Sequence, residues 1–451
     1  MTTSASPEHR LSRLGTFSWA LFDWANQPFF TLVTTFIFAP YFAATVIGDP
    51  VQGQSLWGYY QAAAGLAIAL LGPIFGAIAD AHGRRKPWLA LFATLAGVGS
   101  FALWWAAPNM YLTNPSGVFG IIAALILATC GIEFAIVFNN AMLPSLVPTE
   151  RMGRLSGFAW GLGYVGGLIA LFIVLFGFAL PETPWLGLSK AAGEPDRLTG
   201  PLTAVWLAVF ILPLFLFTPD AKPGVLTRSQ AVKHGLRALV DTLRHVRRYS
   251  NVVRYLIARM IYNDGIAAVI GFAGIYAKGM FGWSTVNLGI FGIILTVFGA
   301  IGAFIGGRLD DRIGSKRTVQ IALVMLLIGT IGATSISTDY VLFFIPVPAA
   351  TPGFLNSSAQ YVFMAFGLVI GLAFGPAQAA SRTLMARLAP AGMVTEFFGL
   401  YALSGKATAF LAPLAIAVTT SAFGSQRAGM AIIALFFLVG LFLLIPVNEE
   451  A

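Results

Sequence analysis

The chain has 451 residues, 57% of them hydrophobic and 10% charged, with a net charge of +9. A water-facing surface needs about 25% charged residues, so a soluble globular fold is excluded and lipid must cover most of the outside. Nucleic acid is excluded as the partner of the positive charge, because the basic residues stand in short loops between apolar runs, where they orient a membrane chain.

A bilayer core of about 30 Å takes about 20 apolar residues to cross as a helix. Walking the chain with that ruler predicts twelve spans, roughly 16–45, 54–79, 88–107, 117–143, 155–180 and 202–218, then 251–278, 285–307, 317–336, 360–386, 396–421 and 427–446. Span one opens with polar residues and has no small-residue cleavage site behind it, so it is expected to stay in the membrane. It carries Asp23 about 10 Å along its length and Asn26 beside it. Pro28 removes a helix hydrogen bond and is expected to bend the span. The aromatic residues around Asp23 (Phe22, Trp24, Phe29 and Phe30) can line a cavity or face lipid, and lipid is the plainer expectation.

Between spans two and three stands Gly76-x-x-x-Asp80-x-x-Gly83-Arg84-Arg85-Lys86. The carboxylate is placed to cap or pair at a helix end, the glycines to let helix and loop approach, and the basic residues to hold lipid headgroups. Glu133 falls near the middle of span four. In span five, Gly161-x-Gly163-x-x-Gly166 fits a dinucleotide fingerprint, but no strand precedes it. Gly157, Gly161, Gly163 and Gly167 instead form small-xxx-small pairs for close helix packing. Residues 219–250 form the longest connection. Val232, Leu236, Leu239, Val240, Leu243 and Val246 recur there at helical spacing among Lys233, Arg237, Arg244, Arg247 and Arg248. A basic amphipathic helix on an anionic leaflet or a solvated linker helix both suit that pattern.

Span seven carries Arg259, Tyr262, Asn263 and Asp264, the last about 20 Å along it. The loop after span eight repeats the earlier motif as Gly307-x-x-x-Asp311-x-x-Gly314-x-Lys316-Arg317. Two copies in matching places make an internal repeat, and parallel six-span repeats mark one transporter architecture. Gln378, Ser381 and Arg382 stand in span ten and Lys406 in span eleven, where it needs a carboxylate or a water-filled cavity. The chain thus divides into a six-helix bundle at 1–218, a linker at 219–250 and a second six-helix bundle at 251–451. One set of loops holds most of the Lys and Arg, whereas the opposite set holds only Lys190, Arg197, Lys278 and Arg427. That bias puts both termini in the cytoplasm, in agreement with an even number of spans.

The Asp80 motif resembles the loop signature of the major facilitator superfamily. Four further stretches resemble its vacuole-effluxer family, whose fungal members export amino acids from vacuoles. They are Phe22-Asp23-Trp24-Ala25-Asn26, Phe138-Asn139-Asn140-Ala141-Met142-Leu143-Pro144, Tyr262-Asn263-Asp264-Gly265 and Glu396-Phe397-Phe398-Gly399-Leu400-Tyr401-Ala402-Leu403-Ser404-Gly405-Lys406. The family often has Ser after Asp-Trp-Ala-Asn, where this chain has Gln27-Pro28, so a substrate contact at that Ser is not carried over. The resemblance implies an all-α fold whose first and fourth spans of each half line a central cavity. It also implies a bacterial inner-membrane transporter that works as a monomer by alternating access.

The expected function is therefore secondary transport of a small polar metabolite, most plausibly an amino acid, with protons as a candidate coupling ion. Asp23, Glu133 and Asp264 face Arg259, Arg382 and Lys406 in sign, which suits a zwitterion. The alternatives are an exporter of drugs or other amphiphiles and a non-transporting sensor. An enzyme would need a nucleophile paired with a base, and none is visible. No cofactor or metal is expected, since no His/Cys cluster has ligand spacing and there is no Walker-type phosphate loop.

Overall fold

The computed structural model describes residues 13–81, 84–147, 149–220, 249–348, 353–389 and 394–449. Among these, 11 helical segments are long and apolar enough to cross a membrane. A further 32-residue helix, α2 (Pro50–Ala81), stands between the first two of them. The spans are all helical, as the hydropathy pattern predicts.

Span one begins as α1 (Arg13–Pro28) and continues after Pro28 as a π-helix, Phe29–Phe36. Proline supplies no N–H, and the wider i→i+5 turn that follows is how this helix continues past it. Next come α3 (Lys86–Ala102), α4 (Pro115–Leu146), α5 (Thr149–Ile173) and α6 (Thr199–Phe217). The second half holds α7 (Ser250–Phe281), α8 (Thr285–Ile313), α9 (Ser315–Thr334) and α10 (Ser358–Leu388). Span eleven is broken into α11 (Val394–Ala407) and α12 (Leu411–Phe423), and α13 (Gln426–Leu444) ends the bundle. A small hairpin, β1 (Tyr340–Val341) with β2 (Ile345–Pro346), lies in the α9–α10 connection. The amphipathic helix expected within 219–250 falls mainly on 221–248, outside the described residues.

Close packing rests on small residues. A Cβ on Gly99 of α3 would stand 2.6 Å from Ala124 O, and one on Gly131 of α4 2.6 Å from Ala96 N. Span five meets span one through Gly163 against Asp23, Gly166 against Trp24 and Gly167 against Thr31. Gly161 meets nothing, so the expected Gly161 contact is absent and the packing stripe begins at Gly163. Phe22 and Phe29 are fully buried, and Trp24 stacks on Trp206 at 5.7 Å. The rings around Asp23 therefore belong to the helix packing, which corrects the expectation that they face lipid.

The repeat extends beyond the loop motif. In the first half, the Asp220 carboxylate accepts from the backbone N–H of Arg85 (2.9 Å) and Lys86 (3.3 Å) at the start of α3. Lys86 Nζ donates back to Phe215 O near the end of α6 (2.8 Å). In the second half, Glu449 accepts from the N–H of Ser315 (2.7 Å) and Lys316 (2.9 Å) at the start of α9. Lys316 Nζ donates to Ile445 O after α13 (2.8 Å). Each half so ties its third span to its sixth, with a carboxylate on orphan helix N–H groups and an ammonium on orphan carbonyls. Burial alone would raise the Glu449 carboxyl, but the N–H groups of Lys316 and Ser315 and the Arg387 guanidinium hold it below the usual range.

The same clamp fixes the register of the second loop. Its buried carboxylate is Asp310, which accepts from Ser315 Oγ (2.6 Å) and faces Arg387 at 3.4 Å, whereas Asp311 is exposed. Counting back from Gly314 selects Asp311. Counting back from the clamping lysine selects Asp310, which stands as far before Lys316 as Asp80 does before Lys86.

Among the described residues, the halves meet on the face opposite the termini. There α2 runs along α12: Gln54 Nε2 donates to Thr420 Oγ1 (2.9 Å) and Gln426 O (3.0 Å), and Ser55 Oγ to Ala417 O (3.1 Å). Gly58 abuts Pro413 and Ala417, and deeper in, Gly65 abuts Ala409 and Phe410. Span one crosses α7 at Gly274, and Thr285 of α8 donates to Asp196 (2.5 Å).

Candidate functional site

Span seven builds a buried polar cluster in the second half. Residues 255, 259 and 262 recur at helical spacing on one face. Tyr255 OH donates to Ser381 O (2.5 Å), and Tyr262 OH shares a hydrogen bond with Ser381 Oγ (2.7 Å). Gln378 Nε2 donates to Asn263 Oδ1 (3.3 Å), so α7 and α10 are bonded along two turns. Arg259 lies over the Tyr401 ring, 3.5 Å from its centroid, and donates to Tyr401 O and Ser404 Oγ, both at 2.7 Å. A guanidinium is suited to this combination of stacking and forked donation.

Asp264 is 2% exposed and, among the described residues, has no ion-pair partner; the Thr408 hydroxyl lies beside its carboxylate, and Gly265 brings α13 close at Phe436 and Phe437. Among the described residues, no ion pair joins Arg259 to Asp23 or Asp264. A carboxylate buried without a counter-charge is costly within a membrane span.

Between the halves, Lys406 Nζ of α11 meets Glu133 Oε2 of α4 at 2.5 Å. Lys406 is 49% exposed and Glu133 15%. The helix breaks directly after this lysine, between Ala407 and Leu411. Arg382 is exposed and stands 6.0 Å from the ring of Trp160, which is itself half exposed on α5. Asp23 lies on α1 against Gly163 of span five, and Asn26 on the same helix is buried.

Of the motif residues, the side chains of Gly76 and Asp80, and Gly83 altogether, lie outside the described residues. Arg84 is exposed. Arg85 gives its N–H to the Asp220 clamp. Gly307 has open space where a Cβ would stand. Gly314 takes a positive φ of 87° beside Glu449, Lys316 completes the second clamp, and Arg317 is exposed.

Sequence reasoning passed over Tyr255, Tyr401, Ser404 and Thr408. Tyr255 was legible as the residue one turn before Arg259. Tyr401 and Ser404 stand in the stretch that resembles the vacuole effluxers, shortly before Lys406.

Residues 43–451 match the family model described as vacuole effluxer Atg22 like. The chain is 26% identical over 436 residues to the uncharacterized MFS-type transporter YxiO of Bacillus subtilis, covering 96% of this chain and 94% of that one. It is 25% identical over 310 residues to autophagy-related protein 22-1 of Neosartorya fischeri, with 66% of this chain matched to 48% of the fungal protein. The chain thus spans about half the length of that fungal relative. Among solved structures it is similar to a D-xylose-proton symporter, with a TM-score of 0.67, 15% identity and 97% of each chain covered. It is also similar to the nucleoside transporter NupG, with a TM-score of 0.61, 13% identity, and 97% and 99% covered. It is a membrane transporter of the major facilitator type and not an enzyme. The chain belongs to the vacuole effluxer Atg22-like family.

Proposed function

We propose that this transporter carries a small polar metabolite, an amino acid in the first instance, by secondary active transport with alternating access. The observation that supports this reading is the Glu133–Lys406 pair, with one partner from each half, at the depth where inter-half packing gives way. Ionisable groups are rare within a bilayer and mark substrate or ion pathways. Arg382 adds a second exposed cation, and the carboxylates of Asp23 and Asp264 are the candidates for proton coupling. A drug-like apolar substrate would leave these groups without a role.

The Lys/Arg bias puts the termini in the cytoplasm of a bacterial inner membrane. The contacts described between the halves then lie on the periplasmic side, and Asp80 and its repeat would close the cytoplasmic side in the outward-open state.

Reconstituted protein tests the reading. Liposomes preloaded with a mixture of unlabelled amino acids should accumulate the labelled ones by counterflow, and an imposed pH gradient should change net uptake. No counterflow of any amino acid, with uptake of a lipophilic cation dye instead, would overturn it.

A further inference from the structure

The pair between the halves is chemically unfinished. An ammonium has three donors and a carboxylate about four acceptor sites. Yet among the described residues Lys406 and Glu133 hydrogen-bond to each other alone. Lys406 is nearly half exposed within a membrane span, so the pair can be reached. It also sits at the C-terminal end of α11, where helix carbonyls favour a cation.

We propose that the Glu133–Lys406 pair is where the substrate's two charges bind, the substrate carboxylate replacing Glu133 on Lys406 Nζ and its ammonium replacing Lys406 on Glu133. This rests on the amino-acid reading above. The exchange conserves charge: a neutral pair accepts a neutral zwitterion, and every charge keeps a partner. An amine satisfies Glu133 and strands Lys406, while a plain carboxylic acid does the reverse. Stranding a charge in such a site is the costly outcome, so the site discriminates through the group that is missing.

The break in span eleven couples this exchange to movement. α12 is bonded to the first half through Ser55 and Gln54. α11, on the other side of the break, is held to the first half by Lys406. Taking up a substrate releases that hold and leaves the α12 contacts intact. Tyr401 and Ser404, which hold Arg259, ride on α11, and Thr408 in the break lies beside Asp264. Occupancy at Lys406 is thereby transmitted to the buried cluster of span seven.

The test uses counterflow in proteoliposomes with the labelled amino acid that the wild-type protein carries best. Its decarboxylated amine and its deaminated acid serve as unlabelled competitors. In the wild type both should compete on the order of 100-fold more weakly than the amino acid. In Lys406→Met the gap between amino acid and amine should close, and in Glu133→Gln the gap between amino acid and deaminated acid should close. The double variant Glu133→Gln/Lys406→Met leaves no lone charge to unfold the protein and should show neither gap. Variants that run slowly but keep both gaps would overturn the inference and leave the pair a latch, with amino-acid transport still standing. A wild type that carries no amino acid would overturn the transport reading and this inference together.

Discussion

The two halves share a clamp and differ in their interiors. Asp220 with Lys86 in the first half and Glu449 with Lys316 in the second tie the third span to the sixth by the same bonds. Their interiors are not repeats. The second half buries Arg259, Asp264, Tyr255 and Tyr262 on a single helix. Among the described residues the first half buries no charged side chain so fully; there Trp88 stacks on Phe138 at 5.7 Å and Phe92 lies edge-on to Phe75 at 4.8 Å. The bonds that hold each bundle together are shared, whereas the buried polar residues are not. A repeated scaffold thus carries unlike polar residues, with a buried acid on span seven and the acid of span one, Asp23, only partly covered.

The sharpest way to break this comparison is to neutralise the two acids separately. Asp264→Asn should lower pH-driven uptake on the order of 100-fold, the effect of removing about 3 kcal/mol of state-dependent interaction. Asp23→Asn should have a smaller effect. Equal losses would erase the asymmetry between the halves.

A smaller effect is expected where the halves touch. An added Cβ on Gly58 would lie 2.7 Å from Pro413 O and 2.8 Å from the Ala417 Cβ. Gly58→Ala should loosen the α2–α12 contact by about 1–3 kcal/mol and shift the carrier away from the state described here. Spin labels on α2 and α12 would then report a longer distance. Gly72→Ala on the same helix meets nothing within 4 Å and should leave that distance unchanged. A shift in Gly72→Ala, or none in Gly58→Ala, would show that this packing does not set the conformation.

The smallest effects belong to the clamps. Glu449→Gln and Asp220→Asn should each cost about 1 kcal/mol of stability, as for other helix N-terminal carboxylates. Unlike losses would show that the two clamps are not equivalent. The pH dependence of the Glu449 contribution has a definite sign. Its folded carboxyl lies below the ordinary value, so the stability it contributes is complete above about pH 4.3 and is lost as pH falls through the folded value. Melting curves of wild type and Glu449→Gln should separate at neutral pH and converge in acid.

The span architecture was legible because lipid enforces a length and a loop charge that composition alone reveals. The loop repeat was legible too, but not its register. Spacing from Gly314 points to Asp311, while the hydrogen bonds use Asp310. The clamping carboxylates were hidden because Asp220 and Glu449 differ in type and follow their accepting carbonyls, Phe215 and Ile445, at different spacings. Lys406 announced its need for a partner, but nothing local names Glu133, far away in the chain and on the other half. The break after Ala407 is marked in the sequence only by Gly405 before it and Pro413 in the first turn of α12, which has no N–H to bond Ala409 O. It lies where α11 turns from Arg259 toward the first half, and tertiary packing decides it.

The π-helix at Phe29–Phe36 bears on how related chains align. A wide turn of this kind amounts to one extra residue accommodated inside an α-helix. A relative lacking one residue between 29 and 36 would close the segment as ordinary α-helix, and the residues on either side would still present the same faces. A gap inside a membrane span is normally a sign of misalignment. In this span a single-residue gap is the expected trace of the turn's geometry, and a helical wheel drawn with one period from Arg13 to Val46 would assign the wrong residues to each face.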